Sequence, residues 1–147
     1  MKTLARIREC ISESIKLNIP RGYLEIPRFQ MPQIELKDYP EFFRLLALRK
    51  ISVVRIKILA RELRIAQTEI NFSKIREWMK SMPKGAKDKP CLISSDLYIL
   101  DGNHTALSLM NRNPESKIDC YIIGLEMEEL LQTVRLFDRI TYKTVES

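Results

Sequence analysis

The stretch that most constrains the fold of this chain is residues 91–110, where two short apolar runs are followed by a glycine and a helical pattern. The runs 91–93 and 98–100 flank Ser94-Ser95-Asp96, which predicts a hairpin turn between two strands. Beyond the glycine, apolar residues recur at helical spacing, namely Ala106, Leu107, Leu109 and Met110. The chain is therefore expected to pass from a strand through a tight turn directly into a helix.

The turn reads Asp101-Gly102-Asn103-His104 and contains the only histidine of the sequence. The first N–H groups of a helix have no partner within the helix, and they lie at the positive end of its dipole. A strand that enters a helix through a glycine therefore forms an anion site from backbone groups alone. We expect any chemistry of this protein to take place here.

Length and composition predict one globular domain. The chain has 147 residues, of which 45% are hydrophobic and 30% are charged, and it contains neither a low-complexity run nor an internal repeat. No apolar run approaches the ~20 residues that a membrane-spanning helix requires. The N-terminal residues are too charged for the apolar core of a signal peptide, so the expected location is the cytoplasm.

The three cysteines, Cys10, Cys91 and Cys120, are widely spaced and form no Cys-x-x-Cys pair. This spacing argues against a disulfide framework and a cysteine zinc site, and a single histidine argues against a histidine-rich zinc site. Cys91 and Cys120 lie in apolar, strand-like runs and are expected to be buried thiols.

The positive charge is concentrated in one segment. The net charge is +6, and residues 44–64 contain seven basic residues and one acid, so this segment alone carries the charge of the whole chain. A second basic cluster occupies residues 80–89. Such patches favour a polyanionic partner such as nucleic acid, and the simpler alternative is a solvated basic face. The candidate nucleic-acid contacts are Arg55, Lys57, Arg61, Arg64, Lys84 and Lys87.

In the N-terminal half, periodicity and capping residues predict four elements. Residues 3–17 carry the stripe of an amphipathic helix, and residues 23–34 contain two prolines that favour an extended arm. Asp38 is the expected N-cap of a short apolar helix, and the alternating residues 53–58 predict a strand.

In the C-terminal half, Asn71 or Ser73 is expected to cap a helix whose apolar stripe places Trp78 in the core. Residues 118–123 predict a strand and residues 126–137 a last helix. Strands and helices mix without strict alternation, so the expected fold is α+β, a single domain with a small mixed sheet and surrounding helices. The expected organisation is an N-terminal helix and arm over residues 1–25, the domain over residues 26–137, and a loosely held polar tail over residues 138–147.

Three pieces of the sequence together resemble a known superfamily. They are the strand-forming residues 53–58, the segment Gln67-Thr68-Glu69-Ile70-Asn71 that opens a helix, and the hairpin that ends in Asp101-Gly102-Asn103-His104. In this order they resemble the ParB/sulfiredoxin superfamily, and in particular the small ParB-like nuclease domain proteins of phages. The resemblance covers roughly residues 26–124 and marks the domain as ParB/sulfiredoxin-like.

The resemblance implies phosphate chemistry at the helix N-terminus. In the superfamily, ParB proteins bind CTP at this turn, sulfiredoxins bind ATP, a free-serine kinase carries a related Asp-Gly-His-Thr-Arg sequence, and other members are described as nucleases. Carried over to this chain, the phosphate-binding residues would be Gly102, Asn103, His104 and Thr105, with Gln67 and Glu69 on the facing side.

The same resemblance implies cofactors and a source. Mg²⁺ is expected if the protein is catalytic, with Asp101 and Glu69 as its ligands, and ATP or CTP is a further candidate ligand. The source would be a phage or mobile element, and the location the cytoplasm of a bacterial host. The oligomeric state does not follow from the sequence.

One residue departs from the family pattern. The family usually has arginine after the histidine, where this chain has Thr105. An arginine would grip a phosphate through two parallel hydrogen bonds, whereas a threonine adds only a hydroxyl. Either phosphate binding is weakened, or another cation takes this role, for which the candidates are Arg28, Arg64, Lys84 and Lys87.

Each candidate catalytic residue also has a structural interpretation. His104 would act as a general acid or base or as a phosphate ligand, or would only cap the helix. Asp101 would bind Mg²⁺ or activate a hydroxyl or water, or would accept backbone N–H groups in the turn. Glu69 would be a general base or a metal ligand, or an acid that favours the helix entry.

Three functions follow from these residues. The first is an enzyme that cuts nucleic acid or transfers phosphoryl groups on it, using the turn, Glu69 and the basic segment. The second is a nucleotide-dependent kinase of a small molecule or protein. The third is a non-catalytic module that binds DNA or a host protein through the basic face of residues 44–64.

Overall fold

A computed structural model describes residue 17, residues 19–83 and residues 88–142 of the chain. The helix predicted over residues 3–17 falls almost entirely outside these described residues. Lys84, Lys87 and residues 143–147 lie outside them as well.

The described residues form one small α+β domain built on a mixed sheet, which confirms the predicted fold class at this level. Six strands make the main sheet: β1 (Arg21–Ile26), β3 (Val53–Leu59), β4 (Arg64–Gln67), β5 (Cys91–Ser94), β6 (Tyr98–Asp101) and β7 (Lys117–Ile123). A separate two-stranded ribbon pairs β2 (Pro32–Gln33) with β8 (Thr141–Tyr142). The four α-helices of the described residues are α1 (Tyr39–Leu48), α2 (Phe72–Lys80), α3 (Asn103–Arg112) and α4 (Met127–Val134).

The main sheet has the order β1-β4-β6-β5-β7-β3. β1, β4 and β6 run parallel to one another, and β5 returns antiparallel to β6 as a hairpin. β5 is parallel to β7, and β3 pairs antiparallel with β7 at the far edge. Among the described residues, 3₁₀ turns at Arg28–Gln30, Leu36–Asp38 and Ala60–Glu62 connect these elements.

The sheet is the middle of three layers. Along β5, successive side chains point to opposite faces, so Cys91 and Ile93 join one core cluster while Leu92 joins the other. Helices α2 and α3 cover the first face, and α1 and α4 cover the second. Because the central strands are covered on both faces, all four residues of β5 and all four of β6 are buried.

The predicted hairpin and the helix behind it are confirmed as β5, β6 and α3. Asn71 caps α2 as predicted, because its side chain accepts a hydrogen bond from the backbone N–H of Lys74 at 3.0 Å. Asp38 occupies the predicted N-cap position of α1, but its carboxylate forms an exposed ion pair with Arg139 at 3.4 Å.

The sequence prediction missed two strands of the main sheet, β1 and β4. β1 occupies residues 21–26 and therefore lies partly in the segment assigned to the N-terminal arm, residues 1–25. β4 has four residues, and three of them are buried. Both are short parallel strands whose pairing partners are distant in sequence, so local alternation does not reveal them.

Two residues of the predicted tail, residues 138–147, form the strand β8. Thr141 and Tyr142 pair with Gln33 and Pro32 in the small ribbon. This pairing ties the C-terminal segment to the arm that follows β1.

Cys91 and Cys120 are buried free thiols, as predicted. They are register partners on β5 and β7. Within the described ranges, no helix has the length and apolar character needed to cross a membrane.

Candidate anion-binding site

The candidate site lies where the three parallel strands β1, β4 and β6 end. Parallel strands present their carboxyl ends at one edge of a sheet, where ligands commonly bind in open α/β sheets. The register that pairs Arg64 with Tyr98 and Ile65 with Ile99 brings the end of β4, Gln67, beside Asp101 at the end of β6. β1 leads into a 3₁₀ turn that begins at Arg28, so all three strands deliver a polar residue to this edge.

These residues border a pocket of about 220 Å³. Six of its lining residues were predicted from the sequence: Gln67, Asp101, Gly102, Asn103, His104 and Thr105. Arg28, one of the four cations proposed to replace the missing family arginine, also lines it. Sequence reasoning did not assign Lys74, Trp78 and Lys89 to the site, and all three line the pocket.

Gly102 makes the sharp entry into α3. Its backbone has φ +108°, a left-handed conformation that side chains rarely adopt. A Cβ at this position would lie 2.5 Å from Sγ of Cys91. The first intrahelical bond runs from the Ala106 N–H to the Gly102 carbonyl at 3.0 Å, so the N–H groups of residues 103–105 precede it at the positive end of the helix.

His104 lies in the first turn of α3 and is only 6% exposed. Its Nε2 accepts a hydrogen bond from the backbone N–H of Asn71 at 3.2 Å. Its Nδ1 lies 3.4 Å from Nη1 of Arg28. Both ring nitrogens therefore face N–H donors, although a neutral imidazole carries one N–H of its own.

Burial and, to a smaller extent, the nearby cations Arg28 and Lys74 together lower the pKa of His104 to about 3. His104 is therefore neutral at physiological pH. With Nε2 occupied by Asn71, the ring proton belongs on Nδ1, where it faces the guanidinium. This state suits a hydrogen-bond donor to an anion better than a general base.

His104 should make the protein less stable in acid. Its pKa falls from about 6.5 unfolded to about 3 folded, so the unfolded state binds the extra proton between these values. Stability is then greatest above pH ~6.5 and falls as the pH drops, by at most about 1.4 kcal/mol per pH unit from this group. Urea unfolding in phosphate-free buffer at several pH values measures the free energy of unfolding. In His104→Gln the decrease of this free energy with falling pH should be smaller by this amount, and an unchanged pH dependence would contradict the lowered pKa of His104.

Asp101 is 7% exposed and anchors the segments around the site. Its Oδ2 accepts the backbone N–H of Ile34 and the Nζ of Lys89, each at 3.0 Å. The carboxylate thus ties the arm after β1 and the segment before β5 to the end of β6. This geometry agrees with the structural interpretation of Asp101, an acid that accepts backbone N–H groups.

Glu69 is exposed and lies beside the pocket. Its Oε2 accepts the backbone N–H of Arg28 at 2.7 Å and the hydroxyl of Thr68. Among the described residues, no group of three or more His, Cys, Asp or Glu side chains could hold a metal ion. Because Asp101 and Glu69 already accept hydrogen bonds from N–H and O–H groups of the protein, these two carboxylates do not fit a Mg²⁺ site held by side chains alone.

Gln67 and Asn103 form a buried amide pair at the base of the pocket. Nε2 of Gln67 donates to the Glu69 carbonyl at 2.5 Å, and Nδ2 of Asn103 donates to Oε1 of Gln67 at 3.4 Å. Oδ1 of Asn103 is buried without a hydrogen-bond partner in the described part of the chain.

Trp78, predicted as a core residue, is partly buried and borders the pocket. Its ring lies edge-on to His104 with a centroid distance of 6.5 Å, and Nζ of Lys74 lies 4.7 Å from its centroid. Lys74 and Trp78 are four residues apart on α2, the spacing that places side chains on one helix face. That spacing is the sequence signal that could have assigned Lys74 to this neighbourhood.

Four of the predicted nucleic-acid contacts lie among the described residues, on three different elements: Arg55 and Lys57 on β3, Arg61 in the 3₁₀ turn after it, and Arg64 on β4. Arg55 is paired with Asp119 at 2.6 Å, and Arg61 is paired with Glu115. These are exposed pairs, which contribute little to stability. Arg64 lies on β4, and three strands separate it from Arg55 and Lys57 on β3.

Of these predicted contacts, Lys57 lies near the candidate site, because it lines a second cavity of about 390 Å³ that adjoins the pocket. Lys117 also lines this cavity, and Lys89 and Thr105 line both cavities. Three lysines and one acid, Asp119, therefore line the space beside the pocket.

Comparisons of the chain with protein-family models, with curated proteins and with solved structures give no match.

Proposed function

We propose that this protein binds the phosphate group of its ligand at the N-terminus of α3, in a ParB/sulfiredoxin-like domain. The observation that carries the proposal is the pair of Arg28 and His104 at the pocket, because Nη1 of the guanidinium and Nδ1 of the ring lie 3.4 Å apart and bring two N–H donors together. A phosphate oxygen placed there would accept from both groups. Guanidinium and helix N-terminal groups are the usual protein partners of phosphate.

Each neighbouring residue has a role in this proposal. The N–H groups of residues 103–105 point at the anion, and Gly102 lets the backbone approach it. Asn71 fixes the His104 ring so that Nδ1 carries the proton. Arg28 takes the place of the arginine that Thr105 replaces, and Asp101 holds Lys89 at the pocket rim.

The same groups suit phosphoryl transfer on nucleic acid, by a nuclease or a phosphotransferase. Catalysis of phosphoryl transfer consists largely of positioning and of stabilising negative charge, which Arg28, His104 and Lys89 would supply. Mg²⁺, if bound, would be held mainly by the substrate phosphates, and it would neutralise their charge. The second cavity, which is lined by three lysines and one aspartate, favours nucleic acid over a small ligand, because its net positive charge extends past the pocket.

A nucleotide-dependent kinase is the second candidate. The pocket of about 220 Å³ is smaller than the roughly 300–1,000 Å³ of typical small-molecule sites. It would therefore accommodate the phosphates of ATP or CTP, with the rest of the nucleotide over the adjoining cavity.

Phosphate binding is tested by thermal and urea unfolding with inorganic phosphate. At about 100 times the Kd, a ligand specific for the folded state stabilises by about 2.7 kcal/mol. We expect this gain for the wild type and a much smaller one for His104→Gln. If phosphate, ATP and CTP all fail to stabilise the wild type, the proposal of a phosphate site is contradicted.

The catalytic step is tested separately with labelled single-stranded and double-stranded DNA in the presence of Mg²⁺. Cleavage by the wild type that is lost in His104→Gln would support a nuclease. Cleavage that persists in the variant would exclude this pocket as its origin. Salt-sensitive DNA binding without cleavage would favour the non-catalytic module.

A further inference from the structure

The buried amide pair of Gln67 and Asn103 at the base of the pocket indicates which chemical group the ligand has. Asn103 is 6% exposed, and its Oδ1 is a buried acceptor without a donor among the described residues. A buried polar atom without a partner is costly, and such atoms are rare in folded proteins.

The orientation of the Asn103 amide follows from its neighbours. The Glu69 carbonyl can only accept, so Gln67 must turn Nε2 toward it at 2.5 Å. Oε1 of Gln67 then faces Asn103 and requires the donor Nδ2, which lies 3.4 Å away. Exchanging the oxygen and nitrogen of Asn103 would place two acceptors together, so Oδ1 is the atom left without a partner.

A ligand in the pocket could satisfy this oxygen. Asn103 lines the pocket, and its contact with Gln67 is long, so the amide is loosely held. The terminal torsion of asparagine is soft, so Oδ1 can rotate to meet a donor in the cavity if the long contact of Nδ2 with Gln67 is given up. There it would need a hydrogen-bond donor beside the anion.

We propose that the ligand is a phosphate monoester or hydrogen phosphate, bound with its own P–O–H donating to Oδ1 of Asn103. This inference rests on the proposed phosphate site and narrows its substrate class, because it favours phosphoryl transfer at a terminal phosphate over nuclease cleavage of an internal phosphodiester. A phosphodiester and a sulfate are excluded because neither carries a proton on oxygen near neutral pH. The monoester is either a small phosphorylated molecule or the terminal phosphate of a nucleic-acid strand.

Isothermal titration tests the proposed P–O–H donor. The ligands are inorganic phosphate, sulfate, methyl phosphate and dimethyl phosphate, at about pH 6, which is near the second pKa of a phosphate ester. His104 stays neutral there, so the protein charge at the site is constant. Phosphate should bind at least about tenfold more tightly than sulfate, because sulfate leaves Oδ1 without a donor. Methyl phosphate should likewise bind more tightly than dimethyl phosphate.

Asn103→Leu should reduce the ratio of phosphate to sulfate affinity toward one, and the wild-type ratio remains decisive if this variant does not fold. Equal binding of phosphate and sulfate by the wild type would overturn the inference and leave the phosphate site intact. Binding of neither anion would overturn both proposals.

The two sources of the monoester are separated with a short oligonucleotide. With a terminal phosphate it should bind through this pocket and compete with methyl phosphate. Equal competition by the same oligonucleotide without the terminal phosphate would contradict a monoester site.

Discussion

Gly102→Ala should lower the free energy of unfolding by roughly 2–5 kcal/mol. A left-handed backbone costs a side-chain-bearing residue roughly 1–2 kcal/mol, and φ at this position is +108°. The added Cβ would also meet Sγ of Cys91 at 2.5 Å, and crowding in a packed interior costs roughly 1–3 kcal/mol. Urea unfolding measures the change.

Two further variants separate these causes. In Gly124→Ala the new Cβ meets the hydroxyl of Ser52, an exposed residue that can rotate away, so the loss should stay below about 1 kcal/mol. Combining Gly102→Ala with Cys91→Ala should cost less than the two single changes together, because the closest contact, with Sγ of Cys91, is removed. A loss in Gly102→Ala no larger than in Gly124→Ala would show that the turn tolerates a side chain.

Arg28→Gln should weaken phosphate binding by about 10-fold to 100-fold. Hydrogen bonds to a charged group contribute about 1.5–3 kcal/mol, and about 1.4 kcal/mol corresponds to a factor of ten. Burial lowers the pKa of Arg28, and the carboxylates of Asp101 and Glu69 oppose that shift. Calorimetric titration with phosphate measures the loss of affinity.

Arg64→Gln is the matched control, because Arg64 is exposed on β4, with its guanidinium 5.9 Å from the Tyr98 ring centroid. It should leave the affinity unchanged. If Arg28 performs the task of the family arginine, adding Thr105→Arg to Arg28→Gln should restore part of the binding. Equal losses in Arg28→Gln and Arg64→Gln would mean that only the overall charge matters.

The hairpin, α3 and the Gly102 turn were predictable because their signals are local. Alternation, a turn sequence and helical spacing occupy consecutive residues, and the turn alone indicates an anion site. The sequence also placed Gln67 at the site through its resemblance to the family. These features required no knowledge of how distant segments pack.

The parts of the fold and of the site that the sequence did not predict depend on contacts between residues that are far apart in the sequence. Arg28 and His104 are 76 residues apart, and only the parallel pairing of β1, β4 and β6 brings them together. Sequence reasoning named Arg28 as one of four cations without a means to choose among them. It also treated the basic segment as one surface, whereas the chain crosses from β3 at one edge to β4 near the other.

The position of β1 at the edge of the main sheet has a consequence for ligand affinity. Edge strands can open locally at a lower free energy than interior strands. Arg28 follows β1, so a molecule in which β1 has opened cannot hold the anion between Arg28 and His104. The apparent Kd is then the intrinsic Kd divided by the fraction of closed molecules. Contacts that hold β1 closed, such as the Thr68 N–H on the Ile26 carbonyl at 2.9 Å, would therefore tune phosphate binding without touching the ligand.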